Sequence, residues 1–316
     1  MLLVIGPDNQ TGFRKHLEEL TCVFDYPSKF IAVKERGSKK TLKEISKYQP
    51  NLTIIGARNW IKRNKGILDK IPGKKGLLFI GSLGQNEISQ DIKNLYTYME
   101  LLDSKKIDFL FVGSREFVDL LNRKEVIYLP APYTEKLITF NKKMPKKRIV
   151  SMLSDKAVHK NILNGIAGIA KAKNVEEFVI NGVGKEYLDL IKRFGLKAVF
   201  RDVGFLSKYT YYKQIESSKL LVNVSYTEGF CYGILEAFVR GTPVIITNST
   251  PWFYHPLLYI KNPADYEEIA KKIDNILSMD DKKYKRLSKD CMSIAKRNIL
   301  EDNEICSGVL NKLLKK

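Results

Sequence analysis

Ser225-Tyr-Thr-Glu-Gly-Phe-Cys-Tyr-Gly-Ile-Leu-Glu-Ala-Phe-Val-Arg-Gly-Thr-Pro-Val-Ile-Ile-Thr247 is the stretch whose reading decides the fold. The apolar run just before it, Leu220 to Val224, reads as a buried strand. Tyr232 to Val239 predicts a helix, stopped by Gly241 at a C′ position with Pro243 beyond it. Val244 to Ile246 predicts the next buried strand. Strand, helix and strand in that order form the unit from which parallel α/β sheets are built.

Two carboxylates in this unit are unusual. Glu236 interrupts the otherwise apolar Ile-Leu-Glu-Ala-Phe helix segment, where burying a charge without a partner is costly. Glu228 precedes the helix, where free backbone N–H groups favour an anion, either this side chain or a bound phosphate. Residue chemistry alone leaves the plainer reading open, with Glu228 as a cap and Glu236 facing solvent.

The same alternation continues outward. In the first half, strands are expected at Leu2–Ile5, Phe30–Val33, Leu52–Ile55, Gly76–Gly81, Ile107–Val112 and Val126–Leu129. Helices are expected from Gly12 to Leu20, Lys40 to Tyr48, Ile88 to Leu102 and Arg115 to Leu121. Pro130-Ala-Pro132 breaks the rhythm, and the basic stretch Tyr133–Arg148 is expected to be a linker. The second half restarts with strands at Ile149–Leu153, Phe178–Ile180 and Ala198–Phe200, and helices at His159–Lys173, Tyr187–Phe194 and Tyr209–Ser217. After the central unit come an aromatic loop (Trp252, Phe253, Tyr254), a short strand at Leu258–Ile260 and three closing helices, Ala264–Met279, Lys283–Arg297 and Leu300–Leu314. The expected domains are therefore 1–146, 147–298 and a closing segment 299–316 that packs back toward the first. Both halves read as doubly wound, Rossmann-like α/β domains facing a cleft. Ligands in such sheets bind beyond the carboxyl ends of strands, where Gly6, Gly182, Gly204, Glu228 and Thr247 fall.

The 316 residues exceed one ordinary core. No run of apolar residues is long enough to span a membrane, and Met1-Leu-Leu-Val-Ile-Gly6 reads as a strand rather than a signal peptide, so a cytoplasmic protein is expected. The four cysteines lie far apart and argue against a disulfide framework or a zinc site. Net charge is +19, spread as 26 basic and 16 acidic residues before Lys147 and 28 and 19 after. Such an excess suits a polyanionic partner: a phosphorylated substrate, an anionic membrane or nucleic acid. Lys62, Arg63 and Lys65 beside Trp60 and Ile61 form a candidate membrane contact.

Glu228-Gly229-Phe230, then Glu236-Ala237-Phe238, then Gly241-Thr242-Pro243-Val244-Ile245 resemble the retaining glycosyltransferases of the GT-B fold in the group 1 family. His159-Lys160-Asn161 at the opening of a helix, the turn Asn181-Gly-Val-Gly184 and the segment Val199–Leu206 follow in the family's order. The resemblance covers about residues 148–260. It implies transfer of a sugar from a nucleotide-diphosphate donor, UDP- or GDP-linked, to a glycan, lipid-linked or small-molecule acceptor, with retention and without metal or other cofactor. It assigns Glu228 to the donor sugar, Lys160 to the phosphates and Glu236 to the ribose. Gly229, Phe230, Cys231 and Tyr232 would line the donor site, and Gly182, Arg201, Gly204, Phe205 and Leu206 the nucleotide side. Gly12 loosely matches the family's N-terminal glycine loop.

The chain also departs from the family. The arginine common near Ser151-Met152 is missing, so a second phosphate charge, where there is one, must come from Lys156, Arg201 or another cation. Cys231 and Tyr232 stand where a glycine is usual, which narrows the sugar pocket. His16 is the sole N-terminal histidine, and its helical setting suggests a surface position. These departures keep two alternatives in view: a catalytically silent scaffold that binds an anionic partner or membrane surface, and a glycosyltransferase acting on nucleic acid. The second lacks a basic groove interleaved with aromatics.

Overall fold

Leu2, Leu3, Val4 and Ile5 are all fully buried, as a strand covered on both faces requires. They lie in β1 (Leu2–Pro7), which pairs in parallel with β2 (Ser28–Val33) on one side and β3 (Leu52–Ile55) on the other. The computed structural model describes residues 1–8, 12–34, 38–56, 58–80, 88–135, 145–153, 157–182 and 184–315. Parallel pairing continues through β4 (Lys74–Phe79), β5 (Phe109–Val112) and β6 (Val126–Tyr128), giving the order β2-β1-β3-β4-β5-β6. The connecting helices are α1 (Gly12–Glu19), α2 (Ser38–Ile45), α3 (Arg58–Arg63), α4 (Ile88–Asp103) and α5 (Arg115–Leu121).

Successive strand residues point to opposite faces, so one strand feeds two cores. Leu3, Ile5, Ile55, Leu77 and Phe79 join Trp60, Tyr98 and Phe117 on one side. Leu2, Val4, Leu52, Ile54 and Leu78 join Leu17, Leu20 and four residues near the C-terminus, Cys306, Leu310, Leu313 and Leu314, on the other.

The second sheet is built from β7 (Ile149–Met152), β8 (Glu177–Ile180), β9 (Val199–Asp202), β10 (Leu220–Val222), β11 (Val244–Thr247) and β12 (Tyr259–Ile260), in the order β12-β11-β10-β7-β8-β9. Its helices are α6 (Ile162–Lys171), α7 (Lys185–Arg193), α8 (Lys208–Ser217), α9 (Tyr232–Val239) and α10 (Tyr266–Leu277). The central unit falls as expected: β10, α9 and β11 follow in order, and Gly241 has the positive φ of 66° that a C′ glycine needs. The chain divides into two compact units. The first runs to Glu135 and resumes at Ile299; the second holds the chain between them, up to Asn298.

Four expectations need correction. The last two closing helices are one, α11 (Asp281–Leu314), because Asn298-Ile299-Leu300 contains no glycine or proline to stop a helix. His16 is 1% exposed: it lies on the inward side of α1 with Leu17, and Leu20 just beyond the helix is buried as well. Trp60 and Ile61 are buried in the core, so the apolar half of the suggested membrane contact is not on the surface. His159 and Lys160 do not open α6 but lie in a 3₁₀ turn before it, Val158–Lys160. Residues 136–144 of the expected linker, and Lys156, lie outside the described residues. Among the described residues no helix is long and apolar enough to cross a membrane.

Candidate active site

The turn that carries Lys160 is fixed by its neighbour. Asn161 adopts a left-handed conformation (φ 54°, ψ 41°), which asparagine tolerates better than most residues. Its buried amide donates to the Val224 carbonyl (3.0 Å) and the Pro263 carbonyl (2.6 Å). The Tyr226 N–H donates to the His159 carbonyl at 2.8 Å, so the turn is laced to the loop that follows β10.

This lacing brings Lys160 onto Glu228. The ammonium donates to both carboxylate oxygens, each at 2.8 Å, with the two side chains only 15% and 4% exposed. Ser225 Oγ lies 2.7 Å from Glu228 Oε1 and 2.8 Å from Asn223 Oδ1, sharing one proton between two acceptors. The Glu228 side chain therefore serves as an ion-pair partner, and Cys231, not Glu228, holds the N-cap position of α9. Cys231 is buried, and the Asn223 amide reaches its sulfur at 3.2 Å. Burial, with the Glu228 charge adding, pushes this thiol up to about 12, so it is no nucleophile. Phe230 packs edge-on to Tyr232 (4.9 Å between centroids) and within 6.4 Å of Trp252 and Phe253.

Glu236 lies about one turn into α9 and is 7% exposed. Its partner comes from another helix: the Tyr212 hydroxyl of α8 donates to Oε1 at 3.0 Å. The Arg240 guanidinium lies 3.4 Å from the Tyr212 ring centroid and donates to the Glu236 carbonyl at 3.0 Å. Glu236 thus has a structural attachment that the apolar sequence around it does not announce.

The glycines after β8 and β9 form a second cluster. Gly182 and Gly204 both have φ of 61°, and both amides donate to Asp202 Oδ1, at 2.7 and 2.9 Å. Phe205 beyond them is 88% exposed and Leu206 half-buried. Arg201 is held on the β9 edge by Glu177 (2.8 Å) and Gln214 (3.3 Å), and no described contact joins it to Lys160. Gly12 belongs to the other unit, as the first residue of α1. Tyr212, Arg240, Asp202 and Ser225 were not singled out from the sequence. Their significance rests on contacts across elements. Asn161 alone had a local signal, a turn-forming residue directly before an apolar helix. Among the described residues no group of three or more His, Cys, Asp or Glu could hold a metal.

The Lys160–Glu228 pair lies beyond the carboxyl ends of β7 and β10, where ligands of parallel α/β sheets bind. The family profile of glycosyl transferases group 1 matches residues 134–291, half of the chain. The chain belongs to that family and is a glycosyltransferase of the GT-B fold. No curated protein matches it significantly in sequence. Solved structures do. Anabaena HepE, in complex with UDP and glucose, shares 15% identity over 98% of this chain and 99% of its own, with a TM-score of 0.78. Sucrose-phosphate synthase from Thermosynechococcus elongatus shares 15% over 99% and 98%, at 0.76. A variant of S. aureus TarM, in complex with Fondaparinux, alpha-GlcNAc-glycerol and UDP, shares 19% over 87% of this chain and 58% of its own, at 0.66.

Proposed function

We propose that the protein is a retaining hexosyltransferase that uses a nucleotide-diphosphate-sugar donor and needs no metal. The observation that carries this reading is the bidentate Lys160–Glu228 pair beside the start of α9. In the reaction the bond between the anomeric carbon and the phosphate oxygen breaks. The acceptor hydroxyl oxygen bonds that carbon, and its proton passes to the departing phosphate. Negative charge grows on the diphosphate, and the Lys160 ammonium with the amides opening α9 is placed to stabilise it. Positive charge grows at the anomeric carbon, where the Glu228 carboxylate opposes it and accepts from sugar hydroxyls. Glu236 accepts from the ribose hydroxyls, and the segment around Gly182, Gly204 and Phe205 takes the base. Cationic charge supplied by a side chain and backbone amides makes a divalent ion unnecessary. HepE and TarM were solved with UDP, which favours a UDP-linked hexose here.

Thermal unfolding with UDP, GDP and their sugar conjugates identifies the donor, because a ligand of the folded state raises the midpoint by mass action. Neither nucleotide shifting the midpoint would sink the reading. With the donor in hand, Glu228→Gln and Lys160→Ala are expected to lower kcat at least a hundredfold, about 3 kcal/mol of transition-state stabilisation. Turnover surviving EDTA, and an anomeric coupling constant matching that of the donor, test metal independence and retention.

A further inference from the structure

Glu236 cannot aim itself. The rest of α9 is apolar, and a buried carboxylate with nothing to hold it would rotate, shed its charge or destabilise the helix. Side chains of α8 meet it: Tyr212, through a 3.0 Å hydrogen bond to Oε1, and its neighbour Tyr211, whose buried hydroxyl also bonds the carboxylate. Tyr212 is itself fixed. The Arg240 guanidinium lies 3.4 Å from its ring centroid, and that guanidinium is tied to the backbone of Glu236 and lies 3.8 Å from Glu216. A cation against the ring draws electron density from the phenol and makes its O–H a stronger donor toward a carboxylate. Tyr211, the preceding residue, packs its hydroxyl against Gly233 at 3.2 Å from where a Cβ would stand, which closes the same side of α9 to other rotamers. Carboxylate, phenol and guanidinium thus form one cluster drawn from α8, α9 and the residue that caps α9.

We infer that Tyr212, locked by Arg240, is the positioning residue that orients Glu236 toward the ribose hydroxyls of the donor, and so sets the preference for ribonucleotides. This rests on the assignment of Glu236 to the ribose in the proposed function. A tyrosine that merely packs would affect every nucleotide alike. One that aims a ribose-binding carboxylate affects only nucleotides with ribose hydroxyls.

The experiment measures dissociation constants of UDP, GDP and their 2′,3′-dideoxy counterparts for the wild type, Tyr212→Phe and Glu236→Gln, each checked by thermal unfolding. For the nucleotide the wild type binds, Tyr212→Phe is expected to weaken the ribonucleotide about tenfold, as loss of one hydrogen bond to a charged group does. Its affinity for the dideoxynucleotide should stay within about twofold, which also shows that the site remains folded. Equal weakening of both nucleotides, or of neither, overturns the inference. If Glu236→Gln also weakens both nucleotides equally, or neither, the ribose assignment falls as well. If Glu236→Gln weakens the ribonucleotide selectively and Tyr212→Phe does not, only the inference falls. Binding of neither nucleotide to the wild type overturns both.

Discussion

At Asn161 the backbone turns left-handed and the side chain ties two carbonyls, and substitution can separate the two effects. Asn161→Gly keeps the turn and loses the bonds; Asn161→Ala loses both. Urea unfolding should rank wild type above Gly above Ala, with Ala lower than Gly by about 1 kcal/mol, the cost of a Cβ in the left-handed region. Both variants should slow transfer, because Lys160 is the adjacent residue. A buried histidine and a half-buried aspartate in the first unit give opposite pH signatures. Burial holds His16 down to about 3, only partly opposed by the Pro130 carbonyl. Burial, with Glu301 adding and Arg115 opposing, lifts Asp302 to about 7. The depressed histidine contributes stability that is present above its unfolded pKa, near 6.5, and is lost as pH falls toward 3. The raised carboxyl contributes stability that is present below its unfolded pKa, near 3.8, and is lost as pH rises toward 7. Between about pH 4 and 6.5 the two slopes oppose, each up to about 1.4 kcal/mol per pH unit. Relative to wild type, stability measured from pH 7 down to pH 5 should fall less in His16→Leu and more in Asp302→Asn. Parallel curves for all three proteins would contradict the assignment.

Helix α6 meets α10 through a glycine. A Cβ on Gly168 would stand 2.4 Å from Ile269 Cγ2 and 3.3 Å from the Tyr266 carbonyl, closer than real contacts allow. Gly168→Ala should gain about 1 kcal/mol of helix propensity and still lower the melting temperature, because the backbones cannot part without opening the core. Adding Ile269→Ala should recover part of the loss relative to the sum of the single variants, a coupling that calorimetry would detect. Most elements were legible: Leu52–Ile55 is an apolar run that ends at Gly56, as a buried parallel strand should, and the helices Arg115–Leu121 and Tyr232–Val239 also fall on the expected residues. The continuity of α11 was misread, since a polar Asn298 between two helical patterns resembles a break. In the fold its amide donates to the Trp252 carbonyl at 2.8 Å, a use for polarity that only the tertiary structure reveals. The site was half legible. Glu228 and Glu236 stand out as charges in glycine-rich or apolar settings, and Lys160 is picked out by the family resemblance. Tyr212 does not, because the partner of a buried carboxylate lies 24 residues away on a helix with tyrosines at several positions.

Across the whole chain, four thiols report on folding. Cys22 is exposed while Cys231, Cys291 and Cys306 are buried, and burial raises both Cys231 and Cys306. Titration with a disulfide reagent at pH 8 should count one reactive thiol in the native protein and four after denaturation. Two native equivalents would mean that a core is open. The two-sheet architecture followed from the alternation of strands and helices, but strand order did not, since a list of apolar runs does not say which run is central. The order of the chain has a consequence for synthesis. Cys306, Leu310, Leu313 and Leu314 complete one core of the first unit, and they come after every residue of the second unit up to Asn298. A ribosome therefore releases all the strands of the first sheet long before the residues that cover Leu2, Val4 and Leu52. The second unit, continuous in the chain, can fold in that interval. The first unit waits with an apolar face uncovered, the kind of exposed surface through which incompletely folded chains aggregate.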